Sequence, residues 1–145
     1  MMEVAGEKGL LMKRCEEILN ERIDKAKQEI QSYSEQSGEE TKSSAGDKYE
    51  TTRAMLNLEK EKIAMQLDES LKLKRALDQL KGGKLLKTNK GNFFISVGIG
   101  SFSLEGENYF AISPVAPIGK LLSTAKVGDS VAFGPNTYQV LEVVD

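Results

Sequence analysis

Four carboxylates surround a stretch of small, flexible residues in the first half of the chain, in the segment EETKSSAGDKYE. Glu39 and Glu40 lie before the small residues, and Asp47 and Glu50 lie after them. Mg²⁺ prefers oxygen ligands and is usually held by one or two carboxylates together with phosphates. Two such ions about 4 Å apart can stabilise the attacking and departing oxygens of a phosphodiester. The segment could therefore complete a metal site that another molecule supplies in part.

The composition excludes several other kinds of chemistry. The 145 residues include no histidine, which excludes Ser-His and Cys-His nucleophiles and most zinc sites within a single chain. The single cysteine, Cys15, cannot form an internal disulfide, so we expect a buried thiol in a cytoplasmic protein. The 20 basic and 22 acidic residues nearly balance, which gives no general attraction to nucleic acid or to membranes. No apolar run approaches the roughly 20 residues of a membrane span.

The segments on either side of the four carboxylates have helical patterns. Apolar residues recur at alternating spacings of four and three in residues 19–33, which is typical of a coiled-coil seam. A second, less regular series follows in residues 46–81, and residues 37–45 are short enough to turn the chain back. We therefore predict an antiparallel helical hairpin over residues 1–81, with its tip near residues 38–46. Assembly of two chains into a dimeric coiled coil is the alternative.

A double glycine, Gly82-Gly83, separates this half from a second half of different composition. All three prolines follow it, and Pro117 lies where it would begin a short helix. Segments with the composition of strands are residues 93–102, 109–113, 131–134 and 137–144. The sequence thus predicts an α+β protein whose second domain, residues 84–145, is a small sheet with one short helix.

The run ISPVAPIGKLLSTAKVGDSVAFGPNTYQVLEVV, residues 112–144, resembles the C-terminal domain of bacterial Gre-type transcription elongation factors. In that family a Ser/Ala-Pro-aliphatic-small-basic segment leads a short helix, a Gly-Asp pair follows, and the chain closes on a strand. The corresponding positions here are residues 116–120, Leu122, Gly128, Asp129, Tyr138, Val140, Glu142 and Val143. The order of a helical hairpin and a small sheet domain is also similar, so the resemblance covers nearly the whole chain.

The resemblance implies an FKBP-like fold for the second domain and RNA polymerase as the partner. Members of the family bind the polymerase through this domain and insert the hairpin into its secondary channel. Acidic residues at the tip then help to hold a catalytic Mg²⁺, and the polymerase's own active site cuts backtracked RNA. For this chain the resemblance implies a monomeric accessory factor rather than an enzyme. It would share Mg²⁺ with the polymerase instead of binding it stably, and nascent RNA would lie near its tip.

The tip carboxylates are the candidates for assisting the metal. The primary candidates are Glu40 and Asp47, and the secondary ones are Glu39 and Glu50. Helix capping is the alternative for Asp47, because Ser44 precedes it at the spacing of a capping box. The alternative for the two glutamates before the turn is that they are simply solvated.

The tip also departs from the family's pattern. When Tyr49 is aligned with the family's tip tyrosine, the two functional acids of the family correspond to Lys42 and Ala45, which are not acidic. An acid reaches those positions only through a gap, which would bring Asp47 or Glu40 into place. Two outcomes therefore stay open, namely stimulation of transcript cleavage and occupation of the channel that inhibits or modulates the polymerase.

Candidates for contacts with the polymerase and with RNA lie in both halves. Pro117, Ile118 and Lys120 correspond to the surface by which the family binds the polymerase. The alternative is that the helix packs on the sheet, as we expect for Leu122 in particular. Candidates for a contact with RNA phosphate, which would position the chain without reading sequence, are Lys48 and Arg53.

Two functions of other classes compete with a transcription factor. A prolyl isomerase of FKBP type uses an aromatic-lined apolar pocket, and a chain without tryptophan and with only some 60 residues of sheet is expected to wall such a pocket poorly. A scaffold protein would pair through its coiled coil and present the sheet domain.

Overall fold

The computed structural model describes the backbone of residues 2–41, 47–80 and 83–145, and the side chains of residues 6–35, 52–80 and 83–145. Two long helices come first, and a mixed six-stranded sheet with one short helix follows. The predicted α+β class is confirmed. The elements are α1 (Met2–Thr41), α2 (Asp47–Gln79), β1 (Lys84–Thr88), β2 (Gly91–Ile95), β3 (Gly100–Leu104), β4 (Glu107–Ile112), α3 (Pro117–Ser123), β5 (Ser130–Phe133) and β6 (Asn136–Val144).

The two long helices contain no proline and follow the apolar spacing expected from the sequence. Leu19, Ile23 and Ala26 of the predicted seam are buried in α1, and Ile63 is buried in α2. Helix α1 continues through Gly38 to Thr41, so it overlaps the predicted tip at residues 38–46. Residues 42–46 of that tip lie outside the described residues.

The chain divides into two compact units. Unit 1 comprises Met1–Glu17 and Leu73–Asp145, and it therefore holds the sheet, α3 and one end of each long helix. Unit 2 comprises Ile18–Lys72. The sequence predicts a domain boundary at Gly82-Gly83. This pair lies between the end of α2 and the start of β1, and Gly82 lies outside the described residues.

The sheet has the strand order β3-β4-β2-β1-β6-β5. Strands β2 and β4 are parallel, and all other neighbouring pairs are antiparallel. The sequence does not predict strand β1, because its buried Leu85 and Leu86 are adjacent and do not alternate with polar residues. Adjacent residues of a strand point to opposite faces, and both faces of this sheet are covered in unit 1.

The prediction of one strand over residues 93–102 is wrong, because this segment contains β2, a turn and the start of β3. The Ser96 amide still donates to the Ile112 carbonyl at 2.9 Å, but the Ile99 amide turns back to the Val97 carbonyl at 2.9 Å. Strand β3 then forms an antiparallel hairpin with β4. That hairpin returns the chain so that β4 can pair with β2 in parallel.

The register of the strands divides their buried side chains between two faces. Leu86 pairs with Phe93 on the face that also packs against α3. The buried cluster on this face consists of Leu86, Phe93, Ile95, Leu122, Ala125, Val131 and Val140. Leu85 pairs with Phe94 on the opposite face. Helix α1 reaches this second face, since Glu7 bonds to the side chains of β1 and β4 described below.

Candidate functional site

The predicted tip residues lie at the facing ends of α1 and α2 in the sequence. Glu39 and Glu40 belong to the last turn of α1 and Asp47 is the first residue of α2, where a carboxylate favours the positive end of the helix. Arg53 is exposed on α2. The predicted residues whose side chains lie outside the described ones are Glu39, Glu40, Asp47, Lys48 and Glu50.

The motif residues of α3 are described fully. Pro117 occupies the first turn, as predicted, after an extended Ala116. Leu122 is completely buried, which confirms that it packs in the core. Lys120 is exposed, and Ile118 is partly buried against the core beneath the helix. Of the predicted polymerase-binding residues, Ile118 lines the concave surface described next.

That surface is a groove of about 440 Å³ between α3 and the sheet, which we call the aromatic groove. Its walls come from strands β2, β4 and β6 and from α3, which are distant in sequence but adjacent in unit 1. The lining residues are Lys90, Phe93, Phe110, Ile112, Ile118, Asn136 and Tyr138.

Three aromatic rings fix the shape of the groove. Phe93 and Phe110 are register partners on the parallel strands β2 and β4, and their rings stack with centroids 5.4 Å apart. The Tyr138 ring meets Phe93 edge to face at 5.4 Å. Such arrangements suit the quadrupoles of the rings and hold them rigidly. Phe93 is buried, whereas Phe110 is 36% exposed, so part of its apolar ring faces solvent.

One polar pair lies at the end of the groove. The Lys90 ammonium donates to the Asn136 side-chain oxygen at 3.5 Å and lies 5.9 Å from the centroid of the Tyr138 ring. This distance permits a cation–π interaction. The groove thus combines apolar walls with one cation and one amide, a lining that suits binding of an apolar side chain more than acid–base chemistry.

The sequence predicts a poorly walled pocket, and its predicted site residues do not include Phe93, Phe110 or Tyr138. The sequence contains only part of the information that would identify these groove residues. Phe110 lies in a segment that was predicted as a strand, but its position beside Phe93 depends on the parallel pairing of β2 with β4. No local pattern specifies which strands become neighbours.

A polar cluster lies on the opposite face of the sheet. The Tyr109 hydroxyl is 3.0 Å from a carboxylate oxygen of Glu7 and 3.0 Å from one of Glu107. The Lys87 ammonium is 3.0 Å from the same Glu7 oxygen. Burial, followed by the bonds to the two glutamates, raises the pKa of Tyr109, and the bond to Glu7 is the main cause that raises the pKa of Lys87. None of these residues is among the site residues that the sequence predicts.

Comparisons of this chain with protein-family models, with curated proteins and with solved structures find no match. In the described parts of the chain, no group of three or more Cys, Asp or Glu side chains is placed to hold a metal ion. None of the helices described is both long enough and apolar enough to span a membrane.

Proposed function

We propose that this chain is an accessory factor of RNA polymerase, which binds the enzyme through an FKBP-like sheet domain and inserts its two long helices into the secondary channel. The observation that carries the proposal is the aromatic groove. Ile118 and Tyr138 belong to the run of residues that resembles the Gre-type factors, and both line this groove. The residues behind the resemblance therefore contribute to one surface that has the properties of a binding site.

The pattern of burial in unit 2 supports an antiparallel hairpin. Leu19 and Ala26 are buried in α1, and Ile63 and Ser70 are buried in α2. These residues are buried within a single chain, which supports packing of α1 against α2 inside unit 2 rather than between two chains.

Binding through the aromatic groove is tested with Phe110→Ala and a matched control, Leu141→Ala. Both replace an exposed apolar residue of the sheet, 36% and 56% exposed respectively, but only Phe110 lines the groove. We expect Phe110→Ala to weaken the co-purification of the chain with core RNA polymerase by about tenfold, as for loss of a typical interface anchor, and Leu141→Ala to leave it unchanged. Equal retention of both variants would refute the role of the groove, and failure of the unmodified chain to bind the polymerase would refute the proposal itself.

The tip carboxylates decide between the two outcomes that the sequence leaves open. A factor that stimulates cleavage shortens the RNA in a stalled, backtracked complex when Mg²⁺ is present. Replacing Glu40 and Asp47 together with alanine should abolish this stimulation and leave binding to the polymerase intact. If the unmodified chain binds the polymerase but does not stimulate cleavage, it acts by occupying the channel. If the double variant cleaves at the unmodified rate, the carboxylates do not assist the metal.

One observation favours the scaffold alternative. Met55, Leu58 and Met65 lie at helical spacing on α2, and their side chains are 62%, 65% and 74% exposed. A second helix could cover this stripe, as in a coiled coil. Sedimentation at micromolar concentration tests it, because a channel-inserting hairpin should be a monomer. A dimer that Met65→Glu dissociates would favour the scaffold function over the polymerase function.

The aromatic groove also makes the isomerase alternative testable. Aromatic-lined grooves bind proline-containing segments, and three rings line this one. Substantial catalysis in a proline-peptide isomerisation assay, lost in Phe110→Ala, would establish an enzymatic function that the proposal above does not include.

A further inference from the structure

The polar cluster on the second face of the sheet has more acceptors than protons to share. The Tyr109 hydroxyl has one proton, yet it lies 3.0 Å from Oε1 of Glu7 and 3.0 Å from Oε2 of Glu107. Only one carboxylate can accept that proton at a time. The two negatively charged oxygens are also no farther apart than the sum of these two distances, so they repel each other.

Each of the two carboxylates also has a second hydrogen-bond donor. The Glu7 oxygen that faces Tyr109 also contacts the Lys87 ammonium at 3.0 Å. The Glu107 oxygen that faces Tyr109 also accepts from the Asn92 side-chain amide at 3.2 Å. Because of these donors, either carboxylate can lose the Tyr109 proton without losing every partner.

Charge in the cluster is unbalanced as well. Lys87 is the cation of the cluster, and it also lies 4.0 Å from a carboxylate oxygen of Glu142. Glu105 lines the same pocket as Glu7 and Glu107. Among the described side chains, one ammonium therefore lies near several carboxylates, and Glu7 is the one of these that belongs to α1. The attraction of Lys87 and Tyr109 for Glu7 is opposed by the acidic groups of the sheet.

Glu7 lies on the same side of α1 as two buried residues. Leu11 and Cys15 follow it at intervals of four residues, which places all three on the same side of the helix. Leu11 and Cys15 are completely buried. The bonds of Glu7 to Lys87 and Tyr109 therefore hold the side of α1 that carries these two buried side chains.

We propose that Glu7, Lys87, Tyr109 and Glu107 form a latch in which Glu7 holds the first turns of α1 on the sheet while Glu107 competes for the same hydroxyl proton and favours release. The latch makes the beginning of α1 a local element that can open without unfolding of the whole protein. Local opening of this kind is common where few bonds hold a segment. The inference does not depend on the proposed partner.

The competition predicts effects of opposite sign for two chemically identical substitutions. Glu7→Gln removes the charge that Lys87 attracts, so the segment should open more often. Glu107→Gln removes the carboxylate that repels Glu7 and leaves the Tyr109 proton to Glu7, so the segment should open less often. If the cluster were only a set of independent stabilising bonds, Glu7→Gln would still increase opening, but Glu107→Gln would leave it unchanged, because the bonds of Glu107 join residues of the sheet to one another.

Cys15 supplies a native probe of this opening. Cys15 is completely buried on the same side of α1 as Glu7, so its thiol can react with a thiol reagent such as dithiobis(nitrobenzoate) only when this side of the helix is uncovered, and burial raises its pKa to about 11. The labelling rate is measured at constant pH and divided by the rate in the urea-unfolded chain, which removes differences in intrinsic reactivity. Measurement in low concentrations of urea separates local opening from global unfolding, because local opening depends only weakly on urea.

We expect Glu7→Gln and Tyr109→Phe to speed labelling by about 3- to 10-fold, as for loss of one charged hydrogen bond, and Glu107→Gln to slow it by about 2- to 5-fold. The matched control is Glu21→Gln, which neutralises an exposed glutamate on α1 and should leave the rate unchanged. Labelling of Glu107→Gln that is unchanged or faster overturns the proposal, even if Glu7→Gln fails to fold. An unchanged rate in Glu7→Gln also overturns it.

Discussion

Gly119 offers a prediction whose sign depends on a single contact. It is buried in α3, and a Cβ added there would overlap the backbone carbonyl oxygen of Ser113 and come within 3.0 Å of its carbonyl carbon and 3.3 Å of the Pro114 Cα. These are backbone atoms, so they cannot move aside as the end of a flexible side chain does. Gly119→Ala must therefore displace α3 or the segment that precedes it.

Two free energies compete in this substitution. Alanine is better than glycine inside a helix by about 1 kcal/mol, which would stabilise the protein. Forcing a methyl group into a closely packed site costs about 1–3 kcal/mol, and α3 is anchored by the completely buried Leu122, which limits its movement. Because contact with the backbone places the cost at the upper end of that range, we expect a net loss of about 1–2 kcal/mol in the free energy of unfolding.

Urea unfolding followed by tyrosine fluorescence measures this loss. The matched control is Gly9→Ala in α1, since a Cβ at Gly9 would meet nothing within 4 Å. There the helical preference acts alone, and we expect stabilisation by up to about 1 kcal/mol. A Gly119→Ala variant that is as stable as the unmodified protein, or more stable, would refute the argument that close approach of α3 to Ser113 requires glycine.

Three further predictions follow from single side chains. Lys84→Met should lower the free energy of unfolding by about 1–2 kcal/mol in urea, because the Lys84 ammonium donates to the Ser123 and Ala125 carbonyls at 2.7 and 3.3 Å; an unchanged midpoint would contradict this. Since the pKa of Tyr109 is raised in the folded protein, the free energy of unfolding should fall as pH rises above 10.0, the ordinary pKa of tyrosine. Phenolate absorbance measures the raised pKa, with Tyr109→Phe as the control, and titration of every tyrosine near pH 10 would contradict the prediction. At pH 8, Cys15 should react at least about 100-fold more slowly in the folded chain than in urea, and similar rates would contradict its burial.

The elements that the sequence predicted well depend on local patterns. Both long helices, the helix that begins at Pro117, and the burial of Cys15 and Leu122 follow from apolar spacing and from the fixed φ of proline. The sequence does not predict strand β1, because Lys84 and Lys87 flank its two buried leucines and leave an apolar run of only these two residues. The FKBP-like character of the sheet domain stays a prediction.

The sites were harder to predict than the elements. Ile118 was selected through the resemblance, and it does line the aromatic groove. Its neighbours Phe93 and Phe110 meet only because strands separated in the sequence pair in parallel. The bond from Tyr109 to Glu7 joins residues 102 positions apart in the chain, and a single sequence contains no local signal of such a contact.

The position of β1 in the sheet has a consequence for the order in which this protein folds. Strand β1 pairs with β2 through a short turn, but its other neighbour is β6, where Leu85 meets Val144 and Thr88 meets Val140. The β1–β2 and β3–β4 hairpins need only nearby residues and can form early. Closure between β1 and β6 must overcome the entropy of a loop of more than 50 residues. The backbone groups on one edge of β1 therefore stay unpaired until β6 has been synthesised.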